Sequence, residues 1–198
     1  VVASLGHTAA TPEDIDRAYK SGFNHATHFY NAMTQYHKEG IYSHAGTVEA
    51  VYDNDGITVE VIGDGIHVPI RALRMAYKVK GVERMALITD ALAVAASDST
   101  KAFDERVTIE NGVCILSDHS AIAGSIATMD RVIKVAVTQA GIPLEDAARM
   151  ASETPAKIMG VYDRKGSIER GKDADIIFFD KDINLTGVIQ MGREIETA

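Results

Sequence analysis

Four short apolar runs in this chain each end in residues able to do chemistry. The first closes on Gly6-His7, the second on Ala26-Thr27-His28, the third on Asp64-Gly65-Ile66-His67 and the fourth on Asp90. Imidazole is a borderline ligand suited to zinc or iron. A carboxylate beside a bound metal can take a proton from water and return it to a leaving group. His7 and His28 lie 21 residues apart on successive runs; neighbouring strands are about 5 Å apart, so both rings can reach one ion. The plainer reading, two polar residues bonded to loops, stands beside it. A catalytic zinc centre uses about three protein ligands and an open position, and Glu39, Glu60 and Asp64 are the candidates for the third. Asp90 is a candidate general base, or else a turn or cap residue. His67 sits between Gly65, which permits a sharp turn, and Pro69, which opens a helix. Its ring is a substrate hydrogen-bonding group or a structural histidine. Ile122-Ala123-Gly124-Ser125 reads as the entry to a helix, where backbone N–H groups favour anionic or polar ligand atoms.

These side chains need elements that bring them to one place. The runs Val1–His7, Phe23–His28, Ile57–Ile62 and Arg84–Thr89 are β-branched or apolar and suit strands buried on both faces of a parallel sheet. Polar residues at the exits of such strands sit where α/β proteins place their sites. Between them, Thr11-Pro12-Glu13-Asp14 starts a helix that runs to about Lys20, and Thr47–Tyr52 and Pro69–Lys80 are further helices. Residues 31–46 read as a long polar and aromatic loop holding His37 and His44. His25 and His119 read as loop residues too, while Met75, Met85, Met129, Met150 and Met159 fit core positions. The alternation of strand and helix implies parallel βαβ architecture. After Asp90 the pattern changes. Val107–Ile109 and Val113–Leu116 flank an Asn111-Gly112 turn and predict a hairpin. Helices follow over 125–140, 143–152 and 154–160, with Leu144, Ala147, Ala148 and Ala151 as the buried side of the second. Gly166–Ile168, Ala174–Phe179, Leu185–Met191 and Glu194–Ile195 then read as antiparallel strands.

Composition narrows the partners. The chain has 198 residues, 46% hydrophobic and 24% charged, with a net charge of −8. That is ordinary globular composition, and the acidic balance argues against nucleic acid. A single cysteine, Cys114, excludes an internal disulfide and fits a reducing, cytoplasmic setting. No apolar run approaches the ~20 residues of a membrane span. The chain opens on a strand without an initiator methionine or a signal peptide, which reads as a piece of a longer protein.

Several blocks together carry a resemblance. They are Gly6-His7-Thr8, Ala26-Thr27-His28-Phe29-Tyr30-Asn31-Ala32-Met33, Asp64-Gly65-Ile66-His67-Val68, Thr89-Asp90-Ala91, Ile122-Ala123-Gly124-Ser125 and Gly171-Lys172-Asp173-Ala174-Asp175. In these the chain resembles the N-acetylglucosamine-6-phosphate deacetylase family of the amidohydrolase superfamily, over essentially its whole length. The Thr-His and Asp-Gly-Ile-His blocks are the specific ones, whereas Gly-Lys-Asp-Ala-Asp is shared by many amidohydrolases. The resemblance implies an α/β fold, a (β/α)8 TIM barrel of the metal-dependent hydrolase type, of which this chain holds only the second half plus part of a small β-sandwich. On that reading residues 1–105 are the half barrel, 106–118 a hairpin, 119–162 barrel-covering helices and 163–198 the sandwich part. It implies His7 and His28 as metal ligands, Asp90 as catalytic acid/base, and Asn31, Ala32, His67, Ile122, Ala123 and Gly124 as substrate contacts. The cofactor implied is a divalent metal ion, zinc before iron. The implied reaction is hydrolysis of the N-acetyl group of an amino-sugar 6-phosphate to acetate and the free amine, by a cytoplasmic homodimer. A galacto-configured or unphosphorylated sugar, or a non-catalytic fragment, are the alternatives. Two features depart from the family. Its third metal ligand, a glutamate, and a carbonyl-polarising histidine both lie upstream of anything in this chain. The arginine of Arg-Glu-Pro-Gly, which grips the sugar phosphate in many relatives, is replaced where Ser43-His44-Ala45-Gly46 stands, and neither Lys38 nor His44 offers its bidentate fork. A half barrel leaves two open sheet edges, which again predicts a longer polypeptide, or else rearrangement or self-association.

Overall fold

The computed structural model describes residues 1–97, 99, 101–102 and 104–195. Its first half alternates strands and helices. Strand β1 (Ala3–Leu5) leads into helix α1 (Pro12–Lys20), then β2 (Phe23–Ala26), a small hairpin of β3 (His37–Glu39) and β4 (Tyr42–His44), and α2 (Thr47–Asp53). Strand β5 (Thr58–Ile62), helix α3 (Ile70–Lys80) and strand β6 (Met85–Ile88) complete it. β1, β2, β5 and β6 form one four-stranded sheet in that order, every pair parallel. All four strand exits therefore lie on one edge. Val59, Val61, Met85 and Leu87 are buried in the core between this sheet and its helices, as a sheet covered on its faces requires.

Local chemistry sets the helix ends. Thr11 caps α1: its hydroxyl accepts from the Asp14 N–H at 3.3 Å, and Asp14 accepts from the Thr11 N–H at 3.1 Å. The Gly46 N–H donates to Glu49 at 2.8 Å at the start of α2. A Cβ at Gly46 would lie 2.5 Å from the Thr34 carbonyl oxygen, so only glycine fits there. Lys80, at the end of α3, is 1% exposed, and its ammonium donates to the carbonyls of Val51, Asn54 and Ile57 at 2.5, 2.8 and 3.0 Å. It thereby satisfies the C-terminal carbonyls of α2 and pins them to the start of β5. Burial first, then the Arg84 charge, push its pKa down to about 8.

The second half is built differently. β7 (Val107–Glu110) and β8 (Val113–Leu116) pair across Asn111 and Gly112, both at positive φ. That is the hairpin expected from the Asn-Gly turn. Strand β9 (Ile122–Ser125) adds to β8 in antiparallel fashion. Three helices follow, α4 (Met129–Thr138), α5 (Leu144–Ala151) and α6 (Glu153–Ile158), and all three touch β6. The chain closes with an antiparallel sheet of β10 (Ile176–Phe179), β11 (Leu185–Gln190) and β12 (Arg193–Ile195).

Several expectations change here. Residues 122–125 are a strand rather than a helix entry, because Gly124 and Ser125 pair with Cys114 and Val113; the helix starts later, after Thr128. Residues 31–46 contain the β3–β4 hairpin, turning at Gly40 with φ 61. Gly166–Ile168 forms no strand. Met75 and Met159 face solvent, whereas Met85 and Met150 are core. Leu144 is also exposed, and Ala147 carries the buried side of α5.

Candidate functional site

The parallel edge gathers the expected residues. His7 lies two residues beyond β1 and His28 two beyond β2, and their Nε2 atoms face each other at 2.8 Å. Thr8 follows the same path: its N–H donates to the Ala32 carbonyl at 3.0 Å, so the two strand exits are stitched together. Three non-glycine residues in this turn, His28, Tyr30 and Ala32, have positive φ, as does Asp90 at the exit of β6. Such backbone costs about 1–3 kcal/mol per residue and persists only where surroundings over-determine it. Here the surroundings are visible. Phe29 is fully buried, and its N–H donates to the Glu60 carbonyl at 2.7 Å. The Tyr30 hydroxyl is paired with Tyr52 and donates to the Ala72 carbonyl at 3.2 Å. Burial raises the pKa of both phenols. The Asn31 amide donates back to the His28 and Phe29 carbonyls at 3.0 and 3.5 Å.

His67 is held by its own loop. Asp64 accepts the Ile66 and His67 N–H groups on Oδ1 at 2.9 and 3.0 Å, and its Oδ2 is 2.7 Å from His67 Nδ1. Burial pushes the Asp64 carboxyl up. The hydrogen bonds from the imidazole and the two backbone N–H groups outweigh it, so its pKa is lowered. With Nδ1–H donating to the carboxylate, His67 keeps an acceptor at Nε2, which is buried and unpartnered.

Asp90 is exposed. The backbone around it is fixed by β9: the Ser125 N–H donates to the Asp90 carbonyl at 3.0 Å, the Leu92 N–H to the Ser125 carbonyl at 2.9 Å, and the Ser125 hydroxyl to the Thr89 carbonyl. A Cβ at Gly124 would meet Leu92 at 3.0 Å and the Asp90 carbonyl at 3.3 Å. So Gly124 and Ser125 lie against the Asp90 exit, as the end of an edge strand.

The His7–His28 pair fits two ligands of a metal. Ligands at a Zn–N distance of about 2.0–2.1 Å lie about 3.3 Å apart in a tetrahedron, close to what the pair presents. His28 Nδ1 is buried without a partner, whereas a metal-ligating histidine ordinarily donates there. None of the three acids expected as a third ligand joins them. Asp64 serves His67. Glu60 lies 3.2 Å from His25 Nε2 and accepts from the Thr27 hydroxyl at 2.9 Å. Glu39 sits on the β3–β4 hairpin. Among the described residues no three His, Cys, Asp or Glu side chains converge to hold an ion.

Sequence reasoning missed His25. It is 5% exposed in β2, with Nδ1 2.7 Å from the Thr58 hydroxyl and Nε2 toward Glu60. The His25 hydrogen bond, against burial and with help from Thr27, lowers the Glu60 pKa. Alternation offered no signal, since Phe23 and Asn24 are exposed while His25 and Ala26 are both buried, and a buried imidazole needs cross-strand partners that only pairing supplies. An apolar cleft of about 600 Å3, lined by Met129, Ile133, Met159 and Phe179, lies between the later helices and β10. Of its charged groups, Lys165 and Asp173 pair at 3.0 Å, and Asp175 also pairs with Lys165. The cleft therefore offers packing rather than reacting groups.

A parallel sheet with two facing histidines and an aspartate on its exit edge defines an α/β protein with its polar groups gathered at the strand ends. The chain belongs to the amidohydrolase family, whose profile matches residues 1–195. It is 34% identical over 195 residues to the N-acetylglucosamine-6-phosphate deacetylase of Bacillus subtilis, covering 98% of this chain and 48% of that protein. It is 33% identical over 190 residues to the N-acetylgalactosamine-6-phosphate deacetylase of a Shewanella species, covering 94% of this chain and 46% of that one. Among solved structures it superposes with a TM-score of 0.89 and 32% identity on a variant of the N-acetyl-D-glucosamine-6-phosphate deacetylase from Mycobacterium smegmatis in complex with N-acetyl-D-glucosamine-6-phosphate, covering 100% of this chain and 52% of that chain. The chain thus spans about half the length of the curated relatives it matches. No described helix is long and apolar enough to cross a membrane.

Proposed function

We propose that this chain is the later half of a metal-dependent deacetylase that releases acetate from an N-acetyl amino-sugar 6-phosphate. In that architecture residues 1–105 supply the last four strands of a (β/α)8 barrel, with β1 as its fifth, and 163–198 supply part of a β-sandwich. The observation that carries the reading is the facing of the His7 and His28 Nε2 atoms on the same sheet edge as Asp90. His7 and His28 would hold a divalent ion, zinc or iron, together with a ligand from the length of the relatives that this chain does not span. Bound there, the ion supplies Lewis acidity toward water and the amide carbonyl. Asp90 takes the proton of the attacking water and delivers it to the amine nitrogen as the C–N bond breaks. His67, oriented through Nδ1 by Asp64, accepts a sugar hydroxyl at Nε2. The strand Ile122–Gly124 and the turn holding Asn31 and Ala32 border the same edge and frame the sugar.

The test is acetate release by the full-length protein from N-acetylglucosamine 6-phosphate, with metal content measured alongside. Asp90→Asn should retain metal and lose activity by about 100- to 10,000-fold; normal turnover in the metal-loaded variant would sink the reading. A second sugar is favoured by two observations: the similarity to the Shewanella galactosamine enzyme, and the absence of arginine from Ser43–Gly46. Comparing the gluco and galacto sugars, each with and without the 6-phosphate, separates the two.

A further inference from the structure

We propose that Glu60 is a positioning residue: by holding the Thr27 side chain and the backbone that follows His28, it aims the His28 imidazole at His7. The inference rests on the deacetylase reading only for the ion that the imidazole pair would hold. Val59 and Val61 of β5 are buried against the helices, so Thr58 and Glu60 point to the other face of the sheet. His25 is the register partner of Thr58, and Thr27 follows it by two positions, which puts these polar side chains on the same face. Within this row Glu60 is the residue that reaches the exit of β2. Its Oε2 accepts from the Thr27 hydroxyl at 2.9 Å, and its backbone carbonyl accepts the Phe29 N–H at 2.7 Å. Both chain neighbours of His28 are thus tied to one residue of the next strand. The His25 imidazole first, then the Thr27 hydroxyl and the His28 backbone N–H, hold the Glu60 carboxyl below its ordinary range against burial. A histidine at φ 27 needs such a two-sided hold to keep its conformation.

Thr27 passes the hold to the other exit. Its N–H donates to the Leu5 carbonyl at 3.0 Å, and its methyl carbon stands 2.7 Å from where a Cβ on Gly6 would lie. A threonine side chain is stiff at χ1. With its hydroxyl fixed on Glu60, its methyl is committed to the glycine that precedes His7. One rotamer therefore spaces the two imidazoles, whose Nε2 atoms face each other at 2.8 Å. The carboxylate is braced in turn: Oε1 lies 3.2 Å from His25 Nε2, and His25 Nδ1 lies 2.7 Å from the Thr58 hydroxyl. Both Glu60 oxygens are thereby committed. The residue supports the imidazole pair from behind and does not join it as a ligand.

The experiment uses the full-length protein with Glu60→Ala and Glu60→Gln. In metal-free Glu60→Ala the His7 and His28 ring resonances should both shift. Its zinc affinity, read by chelator competition, should fall by about 10- to 100-fold, as loss of a group that orients a ligand does. Glu60→Gln should return most of both, because its amide oxygen accepts from Thr27 and its NH2 faces His25 Nε2. A carboxylate that only stabilised the fold would change urea unfolding and leave the zinc affinity of the folded protein in place. Unmoved ring resonances, or an unchanged zinc affinity in folded Glu60→Ala, overturns the proposal. Should Glu60→Ala fail to fold, Thr27→Val decides, since it keeps the shape and removes the hydroxyl: both rings should shift and zinc should bind more weakly, and a variant indistinguishable from the parent refutes the role. A parent protein that holds no zinc counts against the deacetylase reading instead, and the ring resonances of the metal-free variants still decide this one.

Discussion

The exit of β5 and the exits of β1 and β2 reach the same edge by opposite routes. At β5 everything His67 needs comes from its own loop: Asp64 sits three residues away and accepts the imidazole and two N–H groups. Both side chains are nearly sealed, at 1% and 5% exposure. At β1 and β2 the two imidazoles come from segments 21 residues apart and meet only because the strands pair. His7 is exposed, His28 Nδ1 has no partner, and the turn is bent to positive φ. One exit is finished by local chemistry. The other carries left-handed backbone and a buried imidazole nitrogen without a partner.

That contrast can be broken experimentally. Asp64→Ala should have the largest effect, a loss of about 1–3 kcal/mol in urea unfolding, because it strips the acceptor from the imidazole and two backbone N–H groups. A loss below about 1 kcal/mol would mean the loop is not self-supporting. Acid unfolding sharpens the same point. The folded Asp64 pKa lies below its unfolded value, so the unfolded state binds the proton first. The resulting stability is fully present above the ordinary aspartate pKa of about 3.9 and is lost as pH falls through the lower folded value. The Asp64→Ala chain should therefore lose less stability than the parent as pH falls below about 4; parallel acid curves would contradict this. The smallest effect belongs to the other exit. His28→Gly removes a ring with an unpartnered nitrogen and relieves a φ of 27, so a change within about 1 kcal/mol, in the stabilising direction, is expected. A strongly destabilised His28→Gly chain would show that the ring is structural rather than waiting for a ligand.

Parts of this could be read without coordinates because their causes are local. The Asp64-Gly65-Ile66-His67 turn declares itself through a carboxylate that can cap its own backbone and a glycine at φ 76. Asn111-Gly112 does the same for the β7–β8 hairpin, and Thr11-Pro12 for α1. Other parts were hidden because their causes are distant. Ile122-Ala123-Gly124-Ser125 lacks the alternation of a strand and becomes one only by pairing with β8 and lying against Asp90. Polar residues 37–44 concealed a hairpin with no Asn-Gly signal. His25 and Lys80 gave no hint of burial, because what makes burial tolerable is a set of partners more than 20 positions away, Glu60 and Thr58 for one and the carbonyls of Val51, Asn54 and Ile57 for the other.

The sequence by itself determined which side chains stand at the strand exits, since β-branched runs and turn residues act over a few positions. Only the tertiary structure decided which of them meet. It turned His7 toward His28, gave Asp64 to His67 and Glu60 to His25, and so left the imidazole pair without a converging carboxylate among the described residues. The physical reason is that a buried polar group is settled by whichever partner lies within about 3 Å, and that distance is set by strand pairing, not by separation along the chain.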